Sequence, residues 1–420
     1  MKLGIFYEHQ LPKPWNEGDE HKLFQDALSQ VELADKLGYD YAWEVEHHFL
    51  DEYSHSSAPE VFLAACSQRT KRIRLGHGIV QMPPRFNHPA RVAERIATLD
   101  LVSSGRVDWG TGESSAALEL EGFNIPVHEK REMWREATEQ AANMMAMTPY
   151  PGFNGKHFSM PCRNIVPKPM QKPHPPLWVA CSRRETIHLA ARCGIGALTF
   201  AFVDPSEASK WVEEYYAILK SDECVPIGHA INPNVAMVTG FSCNRDQQEA
   251  LRRGEEGFRF FGYALGHHYI FGDHQPGLTD VWARFENTPP QAGAQPASCI
   301  GTPDYIRGHL NTFKNAGVDQ VIFIQQSGRN RHEHICESLE LFAREVMPEM
   351  QADEAAREQK KMTELAPYLE AAMKRKRPMT PLTEATAPAV HAWGRRIAMD
   401  PEALQKNMES IFKKATGIKE

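Results

Sequence analysis

The stretch LGYDYAWEVEHHF, residues 37–49, decides how the first part of the chain folds. The helical pattern before it ends at Gly38, and the aromatic and β-branched residues that follow are typical of a short buried strand. Glu46, His47 and His48 come directly after that strand. A strand preceded by a helix in this way predicts a βαβ unit, and therefore a parallel sheet.

The same alternation of strand and helix continues along the chain. Eight strands are predicted, at residues 3–7, 39–45, 73–80, 106–110, 177–180, 197–201, 234–241 and 320–324. Eight such units fit a closed (β/α)8 barrel better than an open Rossmann sheet, which usually stops near six strands. No GxGxxG motif follows the first strand. We therefore predict an α/β fold in which residues 1–350 form a TIM barrel.

Two segments lie outside this repeating plan. Residues 266–298, near strands 7 and 8, are rich in Gly, Pro, His and aromatic residues and show little periodicity. A loop of that length predicts a mobile active-site loop more often than a packing element. Residues 351–420 are polar and favour helix, and include a basic run at 374–377. They predict a helical C-terminal extension.

The composition of the chain argues against some binding partners and some cellular locations. The chain has 420 residues, a net charge of −7 and 42% hydrophobic residues, which is typical of a globular protein with a sizeable core. The acidic balance argues against nucleic acid or a membrane surface as a partner. No apolar run approaches the ~20 residues of a membrane helix, and no signal sequence is recognisable. The eight scattered cysteines predict reduced thiols in the cytoplasm.

In a barrel, functional side chains lie after the carboxyl ends of the strands. Here that rule selects Glu8, His9, Glu46, His47, His48, residues 77–81, residues 111–114 and residues 181–184. Ser182 and Arg183 precede a helix, whose free N–H groups favour an anion such as a phosphate; alternatively, Ser182 only caps that helix. Gly112 lies in a glycine turn that lets the backbone approach a flat ligand, or in a plain turn without one.

A metal hydrolase is a further reading of the two adjacent histidines. Neighbouring strand residues point to opposite faces, so His47 and His48 cannot bind one ion in regular strand geometry. The first strand lacks the HxH pair that metal barrels use, and His55, His77 and His88 have no specific ligand spacing. We therefore predict no metal site.

A set of short motifs occurs in a characteristic order. They are KLGIF at 2–6, WEVEHHF at 43–49, LGHGI at 75–79, HP at 88–89, LDLVSSGR at 99–106, VACS at 179–182, GTP at 301–303 and VMP at 346–348. Together they resemble the bacterial luciferase-like family of flavin-dependent monooxygenases, over roughly residues 1–350. The tail beyond that point is not covered by the resemblance.

The resemblance implies a two-component enzyme that binds reduced FMN (FMNH2) at the barrel mouth. A separate NAD(P)H:flavin reductase supplies the FMNH2, O2 is the co-substrate, and a flavin C4a-(hydro)peroxide inserts one oxygen atom into a small organic substrate. By the same resemblance His47 is the catalytic acid–base group. The protein is expected to be a homodimer or a higher homo-oligomer.

The resemblance also implies binding residues. Gly78, Ile79, Gly112, Ser182 and Arg183 are expected to bind the cofactor, with a non-prolyl cis peptide between Gly78 and Ile79. The residues expected to bind substrate are Trp43, Tyr269, Phe271 and Trp282, of which the last three lie in the long loop.

The chain departs from the luciferases at two adjacent positions on the fourth strand. Gly112 stands where they have a cysteine, and Glu113 stands where they have an arginine that contacts phosphate. A carboxylate at 113 would repel a phosphate, which shifts the expected phosphate contact to Ser182 and Arg183.

Two other functions remain open. One is hydride transfer with the deazaflavin F420, without consumption of oxygen. The other is flavin binding without catalysis.

Overall fold

The computed structural model describes residues 1–200, 203–289, 298–392, 405–406 and 408–412. Its strands are β1 Lys2–Tyr7, β2 Tyr41–Glu44, β3 Arg74–His77, β4 Val80–Gln81, β5 Val107–Gly112, β6 Tyr150–Asn154, β7 Ser159–Arg163, β8 Leu177–Cys181, β9 Gly196–Thr199, β10 Val235–Thr239, β11 Phe241–Cys243, β12 Cys299–Gly301 and β13 Gln320–Gln325.

The α-helices are α1 Asp19–Leu37, α2 Pro59–Arg69, α3 Pro89–Val102, α4 Ala117–Gly122, α5 Lys130–Ala146, α6 Arg184–Arg192, α7 Pro205–Lys220, α8 Gln247–Gly266, α9 Val281–Glu286, α10 Pro303–Asn315, α11 His332–Glu345, α12 Met347–Gln351 and α13 Glu354–Arg375. One turn of π-helix, His267–Phe271, extends α8. Four of the barrel helices (α2, α3, α7 and α10) begin with proline, whose fixed φ and missing N–H suit the first helical position.

The main sheet closes on itself. Its order is β3-β2-β1-β13-β10-β9-β8-β5-β4, and β3 also pairs with β5. Every one of these pairings is parallel. Within the described residues, β3 and β4 together form one of eight strand positions, and the predicted (β/α)8 barrel is confirmed.

The third barrel strand is interrupted, which the sequence did not indicate. Residues 73–80 were predicted as one strand, but Gly78 and Ile79 leave the ladder between β3 and β4. The amide of Gly78 instead donates to the Glu44 carbonyl at 2.6 Å. The cis peptide expected between Gly78 and Ile79 is not formed. In the described ranges every cis peptide bond precedes a proline.

Two apolar layers stabilise the barrel. The larger one packs the outer strand faces against the helices, and the smaller one fills the barrel interior and its mouth. Trp43 lies inside, stacked on Tyr41 at 5.6 Å and edge-on to Trp178 at 5.4 Å between ring centroids. A Cβ at position 76 would lie 2.2 Å from the Trp43 ring, so only glycine fits there. The interior is therefore filled by side chains.

The long segment after α8 is more ordered in secondary structure than predicted. The π-helical turn and α9 both lie within residues 266–298, and Val281, Trp282 and Phe285 are buried. The segment therefore carries helical structure between Gly266 and Glu286, with α9 packed on α8. Its role as a mobile active-site loop stays a prediction. Residues 290–297 of the predicted loop lie outside the described residues.

Other differences are local. The Pro-rich passage at 149–176 contains an antiparallel hairpin, β6 with β7. The predicted seventh strand, 234–241, divides at residue 240, after which β11 leaves the barrel and pairs with β12. None of the helices in the described ranges combines the length and hydrophobicity of a bilayer-crossing segment.

The C-terminal extension forms the long helix α13, which packs on the barrel of its own chain, while residues 376–392 form neither helix nor strand. Leu365 and Ala372 of α13 are buried, and α13 contacts α7. The Lys361 ammonium lies 2.9 Å from the Asp319 carboxylate at the start of β13. In the basic run, Arg375 donates to the Ser221 carbonyl at 2.9 Å. The extension therefore covers the end of the barrel opposite the carboxyl ends of the strands.

Candidate active site

The loops at the carboxyl ends of the barrel strands have an unusual backbone. His9, Phe49, Ser114 and Gln326 follow β1, β2, β5 and β13, and each has a positive φ, of 54°, 66°, 59° and 50°. Non-glycine residues adopt this conformation at a cost of about 1–3 kcal/mol and persist in it where surrounding contacts enforce it. Such residues cluster at functional sites. The end of the barrel formed by these loops, here called the mouth, is therefore the candidate active site.

His47 lies at the centre of the mouth. Its Nδ1 is 3.0 Å from Oε1 of Glu119, and its Nε2 is 3.6 Å from Oε2 of Glu8. The hydroxyl of Tyr269 is 3.5 Å from both ring nitrogens. Only 12% of the His47 side chain is exposed. The imidazole is thus held between two carboxylates and covered by a tyrosine.

The carboxylates control the charge of this imidazole. Burial disfavours the charged ring, but Glu119 and Glu8 outweigh burial and raise the pKa of His47 to about 9. Burial also opposes ionisation of Glu119, yet His47, the Ser114 hydroxyl and the His48 amide lower the pKa of that carboxyl. At neutral pH the pair is therefore an imidazolium bound to a carboxylate.

Glu8 is the third titratable group of the cluster. Burial raises the pKa of Glu8 to about 7, although His47 and the Tyr53 hydroxyl favour its ionised form. Tyr53 donates to Oε1 of Glu8 at 3.0 Å, and Oε2 faces His47. A carboxyl that titrates near neutrality beside an imidazolium is suited to proton transfer.

His48 and Glu46 form a separate network. Nε2 of His48 is 3.1 Å from Oε1 of Glu46, and the Glu46 carboxylate also accepts from the Gln81 amide at 2.8 Å and from Nδ2 of Asn87 at 2.7 Å. The two adjacent histidines therefore make separate contacts. The strand-alternation argument against a shared metal ion does not apply to them, because β2 ends at Glu44 and both histidines lie in the loop. This network fixes the loop that bears His47.

A second imidazole–carboxylate pair lies deeper. Nε2 of His9 is 2.9 Å from Oε1 of Glu44, and both side chains are fully buried. Burial lowers the pKa of His9, but Glu44 reverses the effect and leaves it raised. Ser56 donates to the same carboxylate and to the carbonyl of Val45. This pair stabilises the loops beneath His47.

The predicted cofactor residues on the third and fourth strands lie together. A Cβ at position 112 would lie 2.6 Å from Cδ1 of Ile79, and a Cβ at Gly110 would lie 1.9 Å from the His77 carbonyl oxygen. The two glycines therefore let the interrupted strand approach β5 closely. Ile79, 7% exposed, is an apolar side chain at the edge of the mouth.

The predicted phosphate residues lie beside cations that the sequence reasoning missed. Ser182 and Arg183 are exposed at the start of α6. Burial lowers the pKa of Lys130, the Arg131 and Arg183 charges lower it further, and Glu113 opposes them. Arg131 binds Glu113 through two hydrogen bonds of 2.8 and 2.7 Å. The carboxylate expected to repel a phosphate is thus neutralised by its neighbour. Ser182 is not the helix cap, since that position belongs to Arg183.

The four predicted substrate residues separate into different environments. Tyr269 contacts His47, and Phe271 is 58% exposed on the outer side of the π-helical turn. Trp43 is fully buried in the barrel, and Trp282 is buried against Phe260 with ring centroids 4.7 Å apart. Burial gives Trp43 and Trp282 a packing role and does not support their predicted contact with substrate.

Glu119 is a member of the His47 cluster that the sequence analysis also missed. It lies on α4, a six-residue helix in the connection between β5 and α5. A helix this short has no periodic pattern to mark it. Its carboxylate reaches His47 and the His48 amide from a sequence separation of more than 70 residues.

Some buried polar atoms at the mouth have no hydrogen-bond partner among the described residues. They are Oε2 of Glu8, which has only the ion-pair contact with His47 at 3.6 Å, Oε1 of Gln81 and Oγ1 of Thr199. They lie at or just after the ends of β1, β4 and β9. Buried polar atoms are rarely left unpaired, so these atoms fit a ligand with polar edges. With apolar Ile79 and the Lys130–Arg131–Arg183 cluster nearby, the donor set fits a planar cofactor that bears a phosphate.

A parallel barrel with a buried acid–base cluster at the carboxyl end of its strands is the arrangement of a TIM-barrel enzyme. The sequence profile described as luciferase-like monooxygenase matches residues 1–320. The chain therefore belongs to the luciferase-like monooxygenase family.

Particular relatives extend this result. The chain is 26% identical over 199 residues to the oxygenase component of a flavin-dependent trigonelline monooxygenase from Acinetobacter baylyi, which covers 46% of this chain and 52% of that protein. The chain spans about half the length of the curated relatives it matches.

Two solved structures resemble the fold. The monooxygenase RslO1 from Streptomyces bottropensis has a TM-score of 0.68 and 26% identity, covering 83% of this chain and 100% of that one. An F420-dependent secondary alcohol dehydrogenase in complex with an F420-acetone adduct has a TM-score of 0.63 and 20% identity, covering 82% and 98%. The second likeness concerns the fold alone.

Proposed function

We propose that this chain is the oxygenase component of a two-component monooxygenase that uses reduced FMN and O2 to insert one oxygen atom into a small organic substrate. The observation that carries the proposal is His47, charged at neutral pH between Glu119 and Glu8 and covered by Tyr269. The trigonelline relative is named as a flavin-dependent oxygenase component, which supports a separate NAD(P)H:flavin reductase as the partner.

Each part of the mouth has a role in this proposal. Reduced FMN, when bound, supplies the two electrons with which one oxygen atom enters the substrate and the other leaves as water. Ile79 and the backbone at Gly78 and Gly112 would support the flat ring, while Arg183 and Ser182, with Lys130 nearby, would bind the phosphate.

His47 then acts as the proton donor. Glu119 accepts from Nδ1 and fixes the ring, which leaves Nε2 to face the reacting groups and Glu8. Glu8 can return a proton to Nε2 after each turnover, since its own pKa of about 7 lies near neutrality.

Tyr269 excludes water from this centre. Its ring lies edge-on to His47, with centroids 6.2 Å apart. A ligand that reaches His47 must displace this side chain, so we propose that the segment around the π-helical turn opens for entry and closes during reaction. Water exclusion protects a reactive oxygen species from unproductive decay.

The cofactor is tested by binding. We expect reduced FMN to bind anaerobically and F420 not to bind, as measured by fluorescence. With flavin reductase, NADH and oxygen-18 gas, a substrate panel should yield a product that contains one labelled atom. Tight binding of F420 with turnover that consumes no oxygen would replace the proposal with hydride transfer. Flavin binding without any turnover would leave a non-catalytic flavin-binding protein.

The phosphate contact has its own test. Arg183→Ala should weaken binding of reduced FMN about tenfold, the loss expected for one charge-assisted hydrogen bond of ~1.4 kcal/mol. Riboflavin, which lacks the phosphate, is the matched control and should bind equally to both proteins. An equal loss for both ligands would place Arg183 outside the phosphate site.

A further inference from the structure

Three histidines gather on and after the π-helical turn that bears Tyr269. His267 and His268 lie on the π-helical turn, and His274 lies in the loop that follows. One ring nitrogen of each lies within 4.8 Å of the others. His267 is 2% exposed, His268 is 8% exposed, and the His274 side chain is 5% exposed. The group is therefore shielded from water.

Hydrogen bonds determine which nitrogens have a free lone pair. Nε2 of His268 is 3.1 Å from the carbonyl oxygen of Asp51, so this nitrogen carries the proton. Nδ1 of His268 is buried with no hydrogen-bond partner among the residues that the structure describes, and it presents a lone pair. Nε2 of His274 is 3.5 Å from the Asp51 carboxylate, which leaves Nδ1 of His274 facing the group.

This is the outer-shell arrangement of metal-binding histidines. A ligating imidazole typically donates its other N–H to a carbonyl or carboxylate, which fixes the tautomer and the ring. Asp51 lies at the outer nitrogen of two of the rings. Its carbonyl accepts from Nε2 of His268, and its carboxylate is 3.5 Å from Nε2 of His274, an ion-pair contact without hydrogen-bond geometry. The Asp51 carboxylate is itself held by the Gly277 amide at 2.7 Å.

The spacing also suits a small divalent ion. Nε2 of His267 and Nδ1 of His274 are 3.2 Å apart. Two nitrogens bound tetrahedrally to Zn²⁺ at 2.0–2.1 Å lie about 3.3 Å apart. A hydrogen bond between the two rings would give the same distance, but it leaves Nδ1 of His268 unpaired. An ion satisfies all three nitrogens.

Charges of both signs surround the group: Arg284 and Lys13 disfavour a cation there, and the Asp51 and Asp273 carboxylates favour one. Arg284 lies near the group, but its guanidinium donates to the Asp273 carbonyl at 2.6 Å. Lys13 donates to the carbonyls of Gly277 and Thr279 at 3.1 and 2.8 Å. The carboxylate of Asp51 faces the histidines directly.

We propose that His267, His268 and His274 bind one Zn²⁺ ion, through Nε2 of His267 and Nδ1 of the other two, with water in the fourth position. Asp51 orients the ligands without touching the ion. The inference stands on these contacts and does not depend on the proposed oxygenase reaction.

The ion would act as a latch, meaning a contact that holds the π-helical turn in place over His47. His268 joins the π-helical turn to residue 51 in the loop after β2, and the next residue, Glu52, accepts from the amides of Val281 and Trp282 at 2.6 and 3.0 Å. A bound ion adds His274 to this link and so fixes the turn that places Tyr269 over His47. Loss of the ion would free the turn.

Direct metal binding is the first test. Chelator-treated protein is dialysed against Zn²⁺, and bound metal is measured per chain. We expect one ion for the wild type, loss of that ion in His274→Ala and His268→Ala, and an unchanged ion in His128→Ala, an exposed histidine elsewhere. Asp51→Asn should weaken binding roughly 10- to 100-fold. The proposed site would be refuted if the wild type bound no stoichiometric ion, or if His274→Ala retained the ion.

Co²⁺ checks the ligands without relying on variants. The wild-type complex should show the intense visible absorption of a tetrahedral nitrogen site, whereas the weak absorption of an octahedral aquo ion would contradict the assigned geometry.

The latch is tested by proteolysis. Zn²⁺ should slow cleavage within residues 266–286 in the wild type and leave the rate unchanged in His274→Ala. Stoichiometric binding without slower cleavage would refute the latch while leaving the site. Neither result bears on oxygen chemistry, so failure here is distinguishable from failure of the proposed function.

Discussion

His47 and the group of His267, His268 and His274 differ in charge, since the pKa of His47 is raised and the pKa values of the other three are lowered. His47 lies between two carboxylates and has a pKa of about 9. Burial lowers the pKa of His267 and of His268 to about 4, and their neighbours do not compensate. Burial acts in the same direction at both places. The difference teaches that carboxylate partners decide whether a buried histidine holds a proton or offers a lone pair.

Removal of His47 should have the largest effect. We expect His47→Ala to retain binding of reduced FMN but to lose product formed per O2 consumed by roughly 10²–10⁴-fold, the contribution typical of a positioned acid. Product and hydrogen peroxide are measured together under the same conditions. His48→Ala, which removes a ring outside the central cluster, is the control and should lose much less. Equal losses in the two variants would contradict a catalytic role that His47 has and His48 lacks.

Glu119→Gln should lower the pKa of His47 and so favour its neutral form. In the wild type the reaction rate should fall as pH rises through about 9, where His47 loses its proton. Without the Glu119 charge that fall should move down toward the ordinary histidine pKa of about 6.5. The pH profile of coupled product formation measures this. Glu121→Gln, exposed on the same helix, should leave the profile unchanged; a profile unaffected by Glu119→Gln would contradict the electrostatic account.

The same pairing should make stability depend on pH. The pKa of His47 is higher in the folded chain, so its stabilising contribution is complete below about 6.5 and is lost as pH rises through about 9. The difference in free energy of unfolding between wild type and His47→Gln should therefore shrink across this range in urea titrations. A difference that grows with pH would have the wrong sign.

Tyr269→Phe should have the smallest effect. The hydroxyl lies 3.5 Å from the His47 ring, at the outer limit of a hydrogen bond. Its loss should lower coupling about two- to threefold, for a contact of ~0.5 kcal/mol, and should leave the pH profile in place. Tyr263→Phe, on α8, is a matched control. A large shift of the profile would mean that Tyr269, and not the carboxylates, controls the charge of His47.

The sequence predicted most of the barrel because its signals are local. Gly38 ends α1 as predicted, and α2 and α3 begin at prolines, which are helix-start signals. The break between β3 and β4 was missed because it depends on a close approach to Gly110, which only the folded sheet creates.

The site was predictable in part for the same reason. His47 follows a recognisable strand, so the barrel rule finds it. Glu119 and Lys130 reach the mouth from α4 and α5 through tertiary contacts that leave no periodic trace. His267, His268 and His274 were predicted as part of a loop without metal. Their spacing is not specific, and only the π-helical turn brings the three rings together.

The most direct test of the central claim is an NMR titration of labelled histidine side chains, with His47 assigned by its absence in His47→Gln. The account predicts that His47 titrates near pH 9 in the wild type and near the ordinary value of about 6.5 in Glu119→Gln. A wild-type His47 that titrates at the ordinary value, or one indifferent to Glu119→Gln, would contradict it.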